Sequence, residues 1–343
     1  MRTTVRSMMH HFVARAAAEG RHTWCRLRRG LRRVLPRAVL LMYHRVADEP
    51  TDPWKLAVSP THFAEHAELL SARGDVWPLS AYVQRLHQGI PPRRAIILTF
   101  DDGYVDNLTT ALPLLDAHGL PATFFVPTGL LGTTESFWWD TLADCLLHRR
   151  PLPEKIVLDN PRGGPNAVLR AQGPAVDDRD RRDRLHRDLW TLLSRCAPAE
   201  RTVLLDQLCT ITLTPRDAPP SRRVMSPAEV TALSDHPGME IGAHTVSHTP
   251  LNVLPPHEQR EELRQSQQTL QALTGGPVAG LSYPNGAYDA TTQGAARDLG
   301  FTHACTTAWG ATTWTTDPLA LPRLHVQNVD ASTLDEQLSV LLD

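Results

Sequence analysis

Short runs of β-branched and large apolar residues recur at residues 39–43, 96–100, 123–126, 239–243, 278–283, 302–306 and 321–326, and each predicts a strand. Between most of them the apolar period lengthens to three or four, which predicts helices over 61–73, 105–118, 228–233, 258–273 and 290–299. Gly74, Gly119, Gly275 and Gly300 stand just past four of these helices, where a left-handed C-cap is expected, and Ser226-Pro227 caps and opens a fifth. Strand alternating with helix predicts an α/β fold on a parallel sheet of about seven strands, open or closed as a (β/α) barrel. Residues 136–222 break the alternation. They open on Phe137-Trp138-Trp139-Asp140, cross a Gly/Pro-rich stretch at 160–174 and a highly charged one at 177–188, and end in two helical patterns. About 85 residues is far more than a connection between barrel elements needs, so the segment is an insertion with its own, helical structure. Trp138 and Trp139 at its mouth make it a candidate lid.

Composition sharpens this plan. The chain has 343 residues, 41% of them hydrophobic and 21% charged, and no apolar run approaches the length of a membrane span. Its formal net charge of -2 conceals two opposite parts: residues 1–37 hold ten Arg and one Glu, a formal +9, and the remaining 306 residues hold 25 basic and 36 acidic side chains, a formal -11. Over 8–35 the apolar residues Met9, Phe12, Val13, Trp24, Leu27, Leu31 and Leu35 are spaced mostly by three or four, with Arg15, Arg26, Arg29, Arg32 and Arg33 largely elsewhere around the wheel. This basic amphipathic pattern predicts peripheral contact with an anionic membrane surface and no specific nucleic-acid partner. The interspersed Arg deny the segment the apolar core of a cleaved signal peptide, so the expected location is cytoplasmic, peripheral on the inner membrane face. The expected domains are the head at 1–37, the barrel at 38–343 and the insertion at 136–222. Five cysteines without a CxxC pair supply neither a zinc knuckle nor a redox motif.

Four clusters carry chemistry, each where a predicted strand ends. Asp101 and Asp102 in Thr99-Phe100-Asp101-Asp102-Gly103 are adjacent carboxylates, expensive to hold together unless a cation or a shared proton relieves them. The same residues would also serve as an Asp N-cap with a turn glycine. His244 and His248, four apart, fall on one face of a helical turn and could reach one cation, although sixteen histidines make such a spacing unremarkable by itself. Asp102, His244 and His248 together would form a two-His, one-carboxylate metal site with open positions. In Ser282-Tyr283-Pro284-Asn285-Gly286 the Pro-Asn-Gly predicts a tight turn, ordinary or presenting a backbone N–H to an oxyanion. His44 closes the first strand, and a barrel would bring it to the same rim.

The residues 99–104, 244–248 and 282–289 resemble the first three motifs of the NodB-type polysaccharide deacetylases, carbohydrate esterase family four. The resemblance implies a distorted (β/α) barrel, a divalent metal (usually Zn2+, with Co2+, Ni2+ or Mn2+ as alternatives) and hydrolysis of N-acetyl, sometimes O-acetyl, groups on sugars. It makes Asp101 the general base, Asp102, His244 and His248 the metal ligands, and Tyr283, Pro284 and Asn285 the oxyanion and substrate-binding turn. Residues 41–46, Leu-Met-Tyr-His-Arg-Val, are similar to the catalytic-acid motif of a permuted branch that includes poly-N-acetylglucosamine deacetylases, which makes His44 the acid; His325 takes that role if the chain is not permuted. The family's third motif carries an Arg that orients the base, and this chain has none between Val278 and Pro284. Arg323, at the end of the last strand, is the expected substitute. The competing expectation is a catalytically impaired carbohydrate-binding protein on the same scaffold.

Overall fold

The computed structural model describes residues 36–147, 152–153, 155–159, 167–170 and 179–343. The amphipathic head expected over 8–35 and most of the connector expected over 160–174 lie outside the described residues. Seven strands match the seven apolar runs: β1 (Arg37–Tyr43), β2 (Arg94–Phe100), β3 (Ala122–Val126), β4 (Met239–Ala243), β5 (Gly280–Ser282), β6 (His303–Cys305) and β7 (Arg323–His325). They pair in parallel in the order β6-β5-β4-β3-β2-β1-β7. A parallel bridge from Cys305 to Leu321 links β6 to the lead-in of β7, so the sheet curls toward closure. It is not wholly parallel, since Thr312–Thr313 pairs antiparallel with Arg37 and Ala38.

β1 and β2 read as unbroken apolar runs because both of their faces are covered, as in the centre of a parallel sheet. Val39, Leu41 and Tyr43 face one core with Phe63, Ile96, Leu98 and Phe100, while Ala38 and Leu40 face the other with Ile97, Phe125, Cys305 and Leu321. Among the described residues ten α-helices accompany the strands: α1 (Pro60–Arg73), α2 (Leu79–His87), α3 (Leu112–Ala117), α4 (Trp138–Leu147), α5 (Arg179–Leu193), α6 (Pro198–Thr212), α7 (Pro227–Ser234), α8 (Pro256–Thr274), α9 (Ala290–Asp298) and α10 (Ala331–Leu342). The four expected C-cap glycines all have left-handed φ, from 61° to 82°. Ser226 caps α7 in a capping box with Glu229. The helix expected over 105–118 is not uniform. It opens as a π-helical turn, Asn107–Ala111, before α3, and Pro113 in that first turn of α3 has no N–H to continue an α-helical ladder.

Helices α4, α5 and α6 pack round a core of their own that includes Leu142, Leu146, Leu189 and Leu208. This region is not purely helical. Lys155–Leu158 and Ala167–Arg170 form an antiparallel hairpin that turns Ile156 and Leu158 into that core, following the two-residue period of a half-buried strand.

Candidate active site

The C-terminal ends of parallel strands meet at one rim, which is how residues 200 positions apart come together. β2 delivers Asp101 and Asp102, β4 delivers His244 and the turn to His248, β5 delivers Ser282, and β1 and β7 deliver His44 and His325. Asp102 Oδ1 lies 3.4 Å from His244 Nε2 and 3.2 Å from His248 Nε2. All three residues are buried, and their ligand atoms lie within 4.8 Å of one another. His244 Nδ1 donates to the Ser282 carbonyl at 2.8 Å, and because a carbonyl only accepts, this fixes the tautomer and leaves the Nε2 lone pair facing Asp102. Asp102 Oδ1 is shut off from solvent with no hydrogen-bond partner among the described residues.

A buried carboxylate facing two imidazoles in this way is relieved by a shared proton or by a cation between them. Separations of 3.2 and 3.4 Å match the edges of a tetrahedron, about 3.3 Å, whose ligands stand ~2.0–2.1 Å from a zinc-sized centre. The donor set therefore fits a divalent metal held by three protein ligands. Burial pushes the Asp102 carboxyl up, but the two imidazoles beside it outweigh burial and hold it below the usual carboxylate range.

The turn that carries the two histidines is not the helical turn that their spacing predicts. Thr245 and His248 have φ of 65° and 53°, and Asp102 and Asn285 also have positive φ, of 72° and 55°. Four of the six non-glycine residues with left-handed φ among the described residues thus belong to this rim, and such conformations persist only where the surroundings impose them. Gly103 (φ 63°) follows Asp102 because a Cβ there would press on Val126 at 3.0 Å. Glu262 on α8 holds the histidine turn: its carboxylate accepts the N–H groups of Val246 and Ser247 at 2.8 and 2.9 Å and the Ser247 hydroxyl at 2.8 Å. Replacing Glu262 by Gln is expected to weaken Zn2+ or Co2+ binding about 10- to 100-fold, as loss of an outer-shell partner does, which a competitive metal titration would read. Unchanged affinity would show that the turn holds itself.

Asp101 is clamped rather than coordinated. Arg323 donates from Nη1 to Asp101 Oδ1 at 2.8 Å and from Nη2 to Oδ2 at 2.6 Å, and the Ser282 hydroxyl donates to Oδ2 at 3.1 Å. The guanidinium also reaches the Thr306 carbonyl, Thr99 Oγ1 and Ser282 Oγ, so all five of its N–H donors are used although the residue is almost wholly buried. Burial pushes Asp101 up, but Arg323, with His244 and His44, outweighs it and holds the carboxyl at about 2. The Arg absent from the third motif is thus supplied in space from β7, and with it the observation behind an impaired enzyme loses its force.

His44 and His325 stand together, ring centroids 5.5 Å apart, and the Asn107 side-chain amide donates to the His44 carbonyl at 2.8 Å. Burial pulls His44 down to about 4 against the opposing charges of Asp102 and Asp101. His325 is also lowered, by burial first, against a hydrogen bond to the Lys55 backbone.

Three expectations are corrected. Tyr283 is not a substrate contact: it is fully buried, donates to the Leu319 carbonyl at 3.0 Å and stacks on Tyr288, so it is a core residue beneath the turn. Pro284 is buried beside it, and only Asn285 of the three is exposed. Trp139 is not a movable lid surface but a buried wall, stacked on Phe137 at 4.3 Å and 4.7 Å from the His248 ring. Trp138 is half-buried and lines a cleft next to His248. Ser282 and Glu262 are the site residues that sequence reasoning missed. The first lay inside a motif read for its turn, and the second sits on a helix with no local signal.

A polysaccharide deacetylase family model matches residues 88–149 and 209–304. The Bacillus subtilis (strain 168) protein YxkH is 22% identical over 289 residues, 84% of this chain and 70% of that protein. Poly-beta-1,6-N-acetyl-D-glucosamine N-deacetylase of Escherichia coli (strain K12) is 34% identical over 109 residues, 31% of this chain but 15% of that protein's length. Among solved structures, the Streptococcus pyogenes deacetylase PplD in complex with acetate superposes with a TM-score of 0.59 at 18% identity, over 89% of this chain and 99% of that one. IcaB from Ammonifex degensii superposes with a TM-score of 0.58 at 16% identity, over 90% and 98%. At such identities the structural likeness establishes the fold, and the sequence match supplies the lineage: the chain carries a polysaccharide deacetylase domain, matched over residues 88–149 and 209–304.

Proposed function

We propose that this carbohydrate deacetylase is a divalent-metal-dependent hydrolase that removes N-acetyl groups from a sugar polymer, poly-N-acetylglucosamine being the first substrate to try. The observation that supports this best is the buried Asp102, His244 and His248 cluster beside an Arg-clamped carboxylate at a barrel rim. Asp102, His244 and His248 would hold the metal, which when bound supplies Lewis acidity to polarise a carbonyl and activate water. Asp101 accepts the proton of the attacking water. Its Oδ2 already takes two hydrogen bonds and its Oδ1 one, so Oδ1 is the atom with a lone pair to spare. The Asn285 N–H, on a turn held in left-handed φ, faces the developing oxyanion, and His44 protonates the leaving sugar nitrogen. Acetate and a free amine result. His44 is preferred to His325 as the acid because it lies in residues 41–46, the segment that resembles the acid motif of the permuted branch.

Acetate release from a panel of N-acetylated oligosaccharides, including β-1,6-linked N-acetylglucosamine oligomers, tests this directly. Activity is expected to vanish with chelator and to return with Zn2+ or Co2+. Full activity in chelator, or no acetate from any acceptor with metal restored, would remove the proposal.

A further inference from the structure

A cleft of about 240 Å³ opens beside His248, between the rim residues Pro127 and Gly129 on one side and Trp138 and the first turns of α6 on the other. Arg201 lines it. This arginine is 5% exposed and lies with its guanidinium 5.0 Å from the centre of the Trp138 ring. Its Nη2 donates to the Cys196 carbonyl at 3.3 Å, and its Nε, shut off from solvent, has no partner among the described residues. No carboxylate pairs with it among the described residues. Arg216 on the same cleft is different, lying 3.2 Å from Asp206 and 3.9 Å from Glu135. Burying a guanidinium without a counter-charge is costly, and burial pulls Arg201 below the usual arginine range with little to oppose it. A cost of this kind is retained where an anion is brought from outside.

Arg201 also lies in residues 150–208, between the two segments of the family match, on a wall outside the stretches that the family model covers. We propose that the cleft is a subsite for an anionic substituent of the acetylated sugar, a phosphate or a carboxylate, with Arg201 as its counter-ion. The proposal rests on the deacetylase reading of the adjacent centre. A flat guanidinium stacked on an indole presents its edge for charge-assisted hydrogen bonds to such a group, and Leu205 and Phe137 on the cleft walls exclude water around it.

The full chain, loaded with Zn2+, would be tested on three substrates: N-acetylglucosamine, N-acetylglucosamine 1-phosphate and a glucuronate-N-acetylglucosamine disaccharide. At least one anionic substrate is expected to show a kcat/KM about 10- to 100-fold above the neutral sugar, carried by KM, and which one does so names the source of the charge. Arg201→Gln should collapse that ratio, Arg201→Lys should restore part of it, and Thr202→Glu, at an exposed position of the same cleft, should collapse it without touching the buried packing. A ratio near one in the wild type overturns the proposal. So does a preference that survives both Arg201→Gln and Thr202→Glu, which would place the anion on the metal centre; if Arg201→Gln does not fold, Thr202→Glu decides alone. Calorimetric binding of the phosphorylated against the neutral sugar needs no turnover. Tighter binding without acetate release would therefore sink the deacetylase reading and leave the subsite standing, and equal binding with acetate release would do the reverse.

Discussion

Replacing Asp101 by Asn is expected to lower kcat for acetate release by about 10²- to 10⁴-fold, the loss that follows removal of a positioned general base. The amide oxygen can still accept a hydrogen bond from Arg323, but it has no basicity with which to take a proton from water. Asp102, His244 and His248 make up the candidate metal site without Asp101, so metal content should stay at the wild-type level. Steady-state kinetics together with metal analysis of the purified variant make the comparison. A kcat within tenfold of wild type in fully loaded protein would take Asp101 out of the base role.

The second large effect falls on stability. Arg323→Met leaves the Asp101 carboxylate buried without its cation and should cost about 3–5 kcal/mol, the usual result of removing one partner of a buried pair. Side-chain exposures of 0% for Arg323 and 4% for Asp101 exclude rescue by solvent. Lysine cannot substitute, because a single ammonium has no planar fork and only three donors where the site uses five. The double variant Asp101→Asn/Arg323→Met should be less destabilised than the sum of the single ones, since it buries no lone charge. Denaturant midpoints of the four proteins give the coupling. A midpoint for Arg323→Met equal to that of wild type would mean that the pair is dispensable for folding, and the clamp would then be read from catalysis alone.

Part of this protein was legible from local pattern. The seven strands, the capping glycines and the Ser226 cap follow from apolar period and backbone chemistry, which depend on neighbouring residues only. The carboxylate pair and the two histidines stood out because their residue types and placement after strands are local too. Within the insertion the hairpin was missed, since Ile156 and Leu158 are apolar at a spacing too short to separate a strand from a helix edge.

What local pattern left open was settled by strand order. Parallel pairing of β1 with both β2 and β7 puts Arg323 within reach of a carboxylate 222 positions earlier in the chain, and no spacing rule joins two such residues. The same packing turned Tyr283 from a candidate contact into core, gave Ser282 two tasks through its carbonyl and its hydroxyl, and brought Glu262 from α8 to hold the histidine turn. The sequence by itself determined which residue types were present at the strand ends and therefore which chemistry was available. The tertiary structure decided which of them meet, because hydrogen bonds and charge pairs act over a few ångströms in space, without regard to distance along the chain.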